Sequence, residues 1–223
     1  MSCPWFLILW YVAWLAGAPR MSQAQATADY LRPMRGYFSS TSPAYYAKVR
    51  ETLYAGLAAQ PLLGTVACPS FSPEYLLCVE RKEGKFFLTY RICQTNIWYA
   101  SEFFTQKPPK SKPIAVTTKT VEVTQPLVDA LRQVFSTAIA QTKYPDPTDS
   151  RGTDGTTYTF VAYLEGIGAA GGETWSPPAD SKMGALVDLV DHLRVLVDTP
   201  AAQDQTALTQ QAQQLVARLI SKK

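Results

Sequence analysis

The chain has 223 residues, a formal net charge of +3 and a hydrophobic fraction of 47%. This length is enough for one well-buried domain or two small ones, and the hydrophobic fraction is typical of a globular protein. So small a net charge gives no electrostatic reason to expect binding to nucleic acid or to an anionic membrane surface, and neither partner is predicted.

The N-terminus has the pattern of an export signal. An uncharged apolar run extends from Trp5 to Ala18, and small and polar residues follow it up to Ala26. Ala24 and Ala26 place small side chains at the two positions that signal peptidase requires. The run is shorter than the roughly 20 apolar residues of a membrane-spanning helix. We predict a cleavable signal peptide over residues 1–26 and a periplasmic or extracellular protein with no stable membrane insertion after cleavage; the alternative is an uncleaved anchor.

The first elements after the signal are a helix and a hairpin. Helical spacing of apolar residues, with Ser42 as a candidate cap, predicts a helix over residues 43–60. Two alternating segments flank residues 81–84 and predict a β-hairpin. Pairing Glu80 with Lys85 gives that hairpin one apolar face. The later elements are predicted, in chain order, as a strand over 114–123, a helix capped by Thr124 with an apolar stripe up to Ile139, a strand ending at Leu164, and helices over 182–197 and 202–220.

This order of elements predicts an α+β fold, in which an antiparallel sheet has helices packed on one face. The regular βα alternation of a doubly wound fold is missing. We expect residues 27–223 to form a single domain, with residues 199–223 as a C-terminal helix.

Three cysteines remain after signal cleavage: Cys68, Cys78 and Cys93. In an oxidising compartment the simplest arrangement is one disulfide and one free thiol. The predicted hairpin register separates Cys78 from Cys93 by about 20 Å, too far for a disulfide bond. A disulfide between Cys68 and Cys93 is therefore the favoured pairing.

Two features suggest common chemistries that their context does not support. The glycines of Gly166-Ile167-Gly168-Ala169-Ala170-Gly171 match the dinucleotide fingerprint, but Pro177 and Pro178 follow where a phosphate-binding helix would have to begin. A hairpin tip explains these glycines better. His192 is the only histidine, and its spacing from Asp188 indicates an ion pair on a helix surface. No catalytic residue, metal site or cofactor is predicted.

Two further sets of residues are candidates for function. Glu165 and Glu173 flank the glycine-rich segment, and two nearby carboxylates could perform acid/base chemistry on a glycoside. Trp98, Tyr99 and Trp175 lie in or near predicted loops, where aromatic side chains can anchor a ligand or a protein partner. We take these three aromatic residues as the candidate binding residues.

The pattern Asp-Gly-x-x-Tyr-x-Phe beginning at Asp154, then Trp-Ser-Pro at Trp175, then an amphipathic helix, resembles a pattern in poorly characterised bacterial exported proteins. The resemblance covers residues 154–197 and implies a bacterial envelope setting, with Trp175 packing its loop onto the helix. Our leading hypothesis is an exported non-catalytic protein that binds a protein partner in the envelope. The alternatives are a hydrolase that cleaves envelope glycan or peptide through carboxylates, and a structural protein.

Overall fold

One antiparallel sheet of six strands organises the chain. The computed structural model describes residues 29–34, 43–57, 61–103, 113–145, 154–202 and 204–221, so the predicted signal segment and Ser42 lie outside the described residues. Its elements, in chain order, are α1 (Pro43–Tyr54), β1 (Leu63–Pro69), β2 (Tyr75–Lys82), β3 (Lys85–Cys93), α2 (Ile97–Ala100), β4 (Val116–Val123), α3 (Gln125–Ala140), β5 (Thr156–Leu164), β6 (Gly168–Trp175), α4 (Lys182–Asp198), a 3₁₀ turn (Pro200–Ala202) and α5 (Gln205–Ile220).

The strands lie in the order β4-β3-β2-β1-β5-β6, and every neighbouring pair is antiparallel. The predicted α+β class is confirmed. β1 was not predicted, because it lies inside the sheet and its side chains are buried on both faces. Such a strand shows no alternation of apolar and polar residues.

The β2–β3 hairpin has a tighter turn than the sequence suggested. Lys82 lies opposite Lys85, so only Glu83 and Gly84 form the turn, with φ angles of 51° and 81°. Two positive φ angles match the twist of a two-residue hairpin. The predicted pairing of Glu80 with Lys85 is therefore wrong by two residues. Because that shift is even, each side chain stays on its predicted face of the sheet.

Helices cover the two faces of the sheet unequally. The three long helices α3, α4 and α5 form the main core with one face, which we call the helix-covered face. A smaller core lies on the opposite face, which we call the α1 face, where α1 and α2 pack on the central strands. This smaller core consists of Tyr45, Val49, Leu53, Val66, Leu76, Cys78, Cys93 and Ile97.

Residues 29–34, which we call the N-terminal strap, attach to the outer edge of β6. Arg32 and Glu173 exchange two backbone hydrogen bonds of 2.8 Å. Leu31 is fully buried in the main core, and the Asp29 carboxylate accepts a 3.3 Å hydrogen bond from the Lys182 N–H at the start of α4. Residues 29–34, close after the predicted cleavage site, are thus an integral part of the fold.

The helix boundaries agree with the sequence pattern except at some ends. α1 ends at Tyr54, short of the predicted residue 60, and α5 begins at Gln205 with Asp204 as its cap. Thr124 occupies the cap position of α3, but its side chain makes no capping hydrogen bond. Within the described residues, no helix combines the length and the hydropathy needed to cross a bilayer.

Candidate functional site

A buried carboxylate organises one end of the sheet on the α1 face. Glu74 directly precedes β2 and is completely inaccessible to solvent. Its side chain accepts hydrogen bonds from the Tyr45 hydroxyl of α1 at 2.8 Å and from the Ile97 N–H of α2 at 2.7 Å. Burial raises the pKa of Glu74, and the hydrogen bonds that it accepts oppose this rise only in part. One side chain therefore joins both helices of the smaller core to the sheet.

Asn96 fixes the start of α2 to the loop between β1 and β2. Its side-chain oxygen accepts a 3.2 Å hydrogen bond from the Tyr99 N–H, which caps the helix. Its amide nitrogen donates a 2.7 Å hydrogen bond to the Ser72 carbonyl. At the other end of this loop, the Ser70 N–H donates to the Gly155 carbonyl at 2.8 Å. The loop is thus held from both sides.

Two aromatic side chains project from this anchored backbone. Phe71, between Ser70 and Ser72, is 70% exposed, and Tyr99 in α2 is 47% exposed. We call this pair the aromatic rim. Exposed aromatic side chains on a fixed backbone are candidates for contact with a partner, because aromatic residues are enriched among those that dominate binding energy.

The three candidate binding residues have different environments. Tyr99 belongs to the aromatic rim. Trp98 is half-buried and packs edge-on against the Tyr45 ring, with 5.4 Å between the ring centroids. This contact packs α2 on α1. Phe71 was not identified from the sequence, because an isolated phenylalanine between serines shows neither helical nor strand periodicity.

Trp175 lies at the end of β6 and is also half-buried. Its indole covers Gly155, where an added Cβ would come within 2.7 Å of the Trp175 Cζ2 atom and 2.4 Å of the Ser176 hydroxyl. Glycine is therefore required at position 155 for this close approach. Trp175 packs on the turn before β5, whereas the sequence resemblance implied a contact with the following helix.

The cysteines are free thiols, so the expected Cys68–Cys93 disulfide is absent. The registers place Cys68 and Cys93 on opposite sides of Glu74, two strand spacings or about 9–10 Å apart. A disulfide needs Cα atoms within about 7 Å. Burial raises the pKa of Cys68, Cys78 and Cys93 to about 12, which is the opposite of what a nucleophilic thiol requires.

The structure does not bring the two candidate acid/base carboxylates together. Glu165 is exposed at the turn between β5 and β6, whereas Glu173 is buried opposite Thr159. Six residues of strand separate these positions, or about 20 Å. Glycosidase carboxylates lie within about 5–10 Å of each other. This pair therefore cannot form such a site.

The glycine-rich segment and His192 have structural roles. Gly166 and Gly168 have φ angles of 77° and 91° and form the turn of the antiparallel β5–β6 hairpin, as the hairpin prediction required. His192 Nδ1 lies 3.7 Å from the Asp188 carboxylate and 3.0 Å from the Gln211 side-chain oxygen on α5. The predicted surface pairing of His192 with Asp188 is confirmed. No cluster of metal-binding side chains occurs among the described residues.

Comparison with models of protein families, with curated proteins and with solved structures found no match to this chain.

Proposed function

We propose that this chain is an exported, non-catalytic binding protein of the bacterial envelope, and that a protein partner contacts the aromatic rim. The observation that carries the proposal is the exposure of Phe71 and Tyr99 on backbone that Glu74 and Asn96 hold in place. The N-terminal apolar run and the small residues before Thr27 support export. The resemblance of residues 154–197 to bacterial exported proteins supports the same setting.

The aromatic rim offers contact area at a low cost in conformational entropy. An aromatic ring offers a large apolar surface with only two side-chain torsions, so ordering it in an interface costs little entropy. The backbone beneath Phe71 and Tyr99 is already fixed, so a partner does not have to order a loop. Truncating an aromatic residue that is a hot spot at the centre of an interface costs about 2 kcal/mol or more.

The test is capture of a partner by the exported protein and by two pairs of variants. The full sequence is expressed with a C-terminal affinity tag, and the processed protein is used to capture proteins from envelope extract. We expect one near-stoichiometric partner, with affinity reduced at least about tenfold by Phe71→Ser or Tyr99→Ser. Phe71 is 70% exposed, so Phe71→Ser should keep the wild-type unfolding midpoint. Tyr99 is only 47% exposed, so the unfolding midpoint of Tyr99→Ser is measured beside its affinity.

The matched controls are Ile167→Ser and Tyr163→Ser. Ile167 is 75% exposed at the β5–β6 turn and Tyr163 is 48% exposed near it, at the opposite end of the sheet from the rim. The proposal requires that these controls bind like the wild type. Equal binding by all five proteins, or the absence of any near-stoichiometric partner, would contradict it. N-terminal sequencing of the exported protein should begin at Thr27.

A further inference from the structure

β4 forms one edge of the sheet, and two hydrogen bonds show which of its backbone groups face outward. The Gln94 N–H donates to the Ala115 carbonyl at 2.9 Å, so odd-numbered residues in this stretch face β3. The Glu122 carbonyl accepts a 3.1 Å hydrogen bond from the Gln205 side chain on α5, so even-numbered residues face away from β3. This alternation is that of a regular antiparallel ladder.

Gln205 closes one end of this edge. Its side-chain amide accepts from the Thr124 N–H at 2.8 Å and donates to the Glu122 carbonyl, as one residue of a neighbouring strand would do. The outward N–H and C=O groups of Val116, Thr118 and Thr120 remain. Within the described part of the chain, no strand pairs with them.

The remaining edge lacks the usual protection against pairing. Thr117 to Thr120 are all exposed, and the β3–β4 register continues without a bulge or a proline. Lys119 does not guard the edge, because its ammonium group lies 2.7 Å from the Asp198 carboxylate on the helix-covered face. The opposite edge, on β6, is met by the N-terminal strap. Edge strands without such protection are templates for another strand.

We propose that the edge of β4 is a dimerisation surface, on which a second copy of this chain adds its own β4 in antiparallel orientation with the two-fold axis at Thr118. Thr118 then lies opposite Thr118 of the second copy, and Val116 lies opposite Thr120. All the outward backbone groups of these three residues are paired. The facing side chains are β-branched, which is favourable in cross-strand pairs.

The edge of β4 is self-complementary, so a second copy of this chain is its proposed occupant. In this register Lys119 faces Thr117 of the second copy, so no two like charges lie opposite each other. Thr118 is the middle one of the three residues whose outward backbone groups remain. The Gln205 side chain, which bonds the Glu122 carbonyl, lies beyond the last of these pairs in both copies. Two-fold dimers, in which the same surface of both copies meets itself, are the commonest oligomers of soluble proteins.

The first measurement is the mass of the exported protein by sedimentation equilibrium over a concentration series. We expect a dimer of twice the chain mass for the wild type and for Thr118→Val, which keeps the backbone and the β-branched shape. Thr118→Pro removes an outward N–H that β3 does not use, so it should give a folded monomer. A wild-type protein that has the mass of one chain throughout, or a Thr118→Pro variant that is still a dimer, would overturn the proposal.

Cross-linking tests the register independently of whether Thr118→Pro folds. Two copies of Thr118→Cys bring their thiols together on the axis, whereas the two Cα atoms in a Thr120→Cys dimer are separated by about 14 Å. Under mild oxidation, we expect at least about tenfold more disulfide-linked dimer for Thr118→Cys than for Thr120→Cys. Equal cross-linking of the two variants would exclude the proposed register.

Discussion

The carboxylate of Glu74 shows how a single side chain can connect elements far apart in sequence. Its acceptor oxygens bind a hydroxyl on α1 and an N–H on α2, and the thiols of Cys68 and Cys93 flank it on neighbouring strands. Replacing it with an apolar residue would leave buried donors without acceptors, which costs about 1–3 kcal/mol for each donor.

The pKa of Glu74 makes this contribution depend on pH. Burial raises the pKa in the folded chain, so the folded state binds the proton more tightly than the unfolded state. The stabilisation from Glu74 is present below the ordinary glutamic acid pKa of about 4.3 and is lost as pH rises through the raised value. We therefore expect the free energy of unfolding of the wild type, relative to Glu74→Gln, to fall over that range.

Urea denaturation at a series of pH values, with a reductant present, measures this difference. Glu51→Gln on the exposed side of α1 is the control, because the Glu51 side chain is mostly in water. A wild-type value that is constant or rising relative to Glu74→Gln would show that burial does not dominate at this site.

At the scale of elements, two residues of the capping type begin helices α3 and α4, but only one of them makes a capping hydrogen bond. Ser181 begins α4, and its hydroxyl accepts a 2.9 Å hydrogen bond from the Gly184 N–H. Thr124 has the equivalent position on α3, but its side chain makes no such bond. Residue type alone would assign both side chains the same role.

We expect Ser181→Ala to lower the free energy of unfolding by about 1–2 kcal/mol. Thr124→Ala should lower it by less than about 0.5 kcal/mol, because no capping hydrogen bond is lost. Urea denaturation of the two variants in parallel provides the comparison. Equal losses would mean that the hydrogen bond accepted by the Ser181 hydroxyl adds nothing to the free energy of unfolding.

The sequence pattern predicted the elements with a regular apolar periodicity and missed β1 and β6, which lack one. The stripe from Leu127 to Ile139 identifies α3 because its exposed and buried residues alternate with helical period. β6 is rich in glycine for reasons that no local pattern contains. A Cβ at Gly171 would lie 2.7 Å from the Phe160 carbonyl, and one at Gly172 would lie 2.7 Å from the Leu31 side chain.

At the scale of the whole molecule, the N-terminal strap joins the main core to the β6 edge. Leu31 is fully buried, and its carbonyl accepts a 2.9 Å hydrogen bond from the Lys143 N–H after α3. The strap therefore links three parts of the chain that are distant in sequence.

Leu31→Ala should lower the free energy of unfolding by about 2–5 kcal/mol, because it leaves a cavity in the main core. Tyr30→Ala in the same strap should cost less than about 1 kcal/mol, since Tyr30 is only half-buried, with the Lys143 ammonium group 5.5 Å from the centre of its ring. Thermal and urea denaturation check both values. Similar small losses for the two variants would show that the strap is not part of the cooperative unit.

The sequence by itself determined the α+β class, the long helices and the β5 strand, because amphipathic periods of 3.6 and 2 residues are local properties. Only the tertiary structure decided that β1 pairs with β5, that Cys68 and Cys93 are separated by Glu74, and that Glu165 lies far from Glu173. These results depend on strand order and register, which bring together residues up to a hundred positions apart. The exposure of Phe71 has the same origin, since it depends on anchors supplied by Asn96 and Gly155.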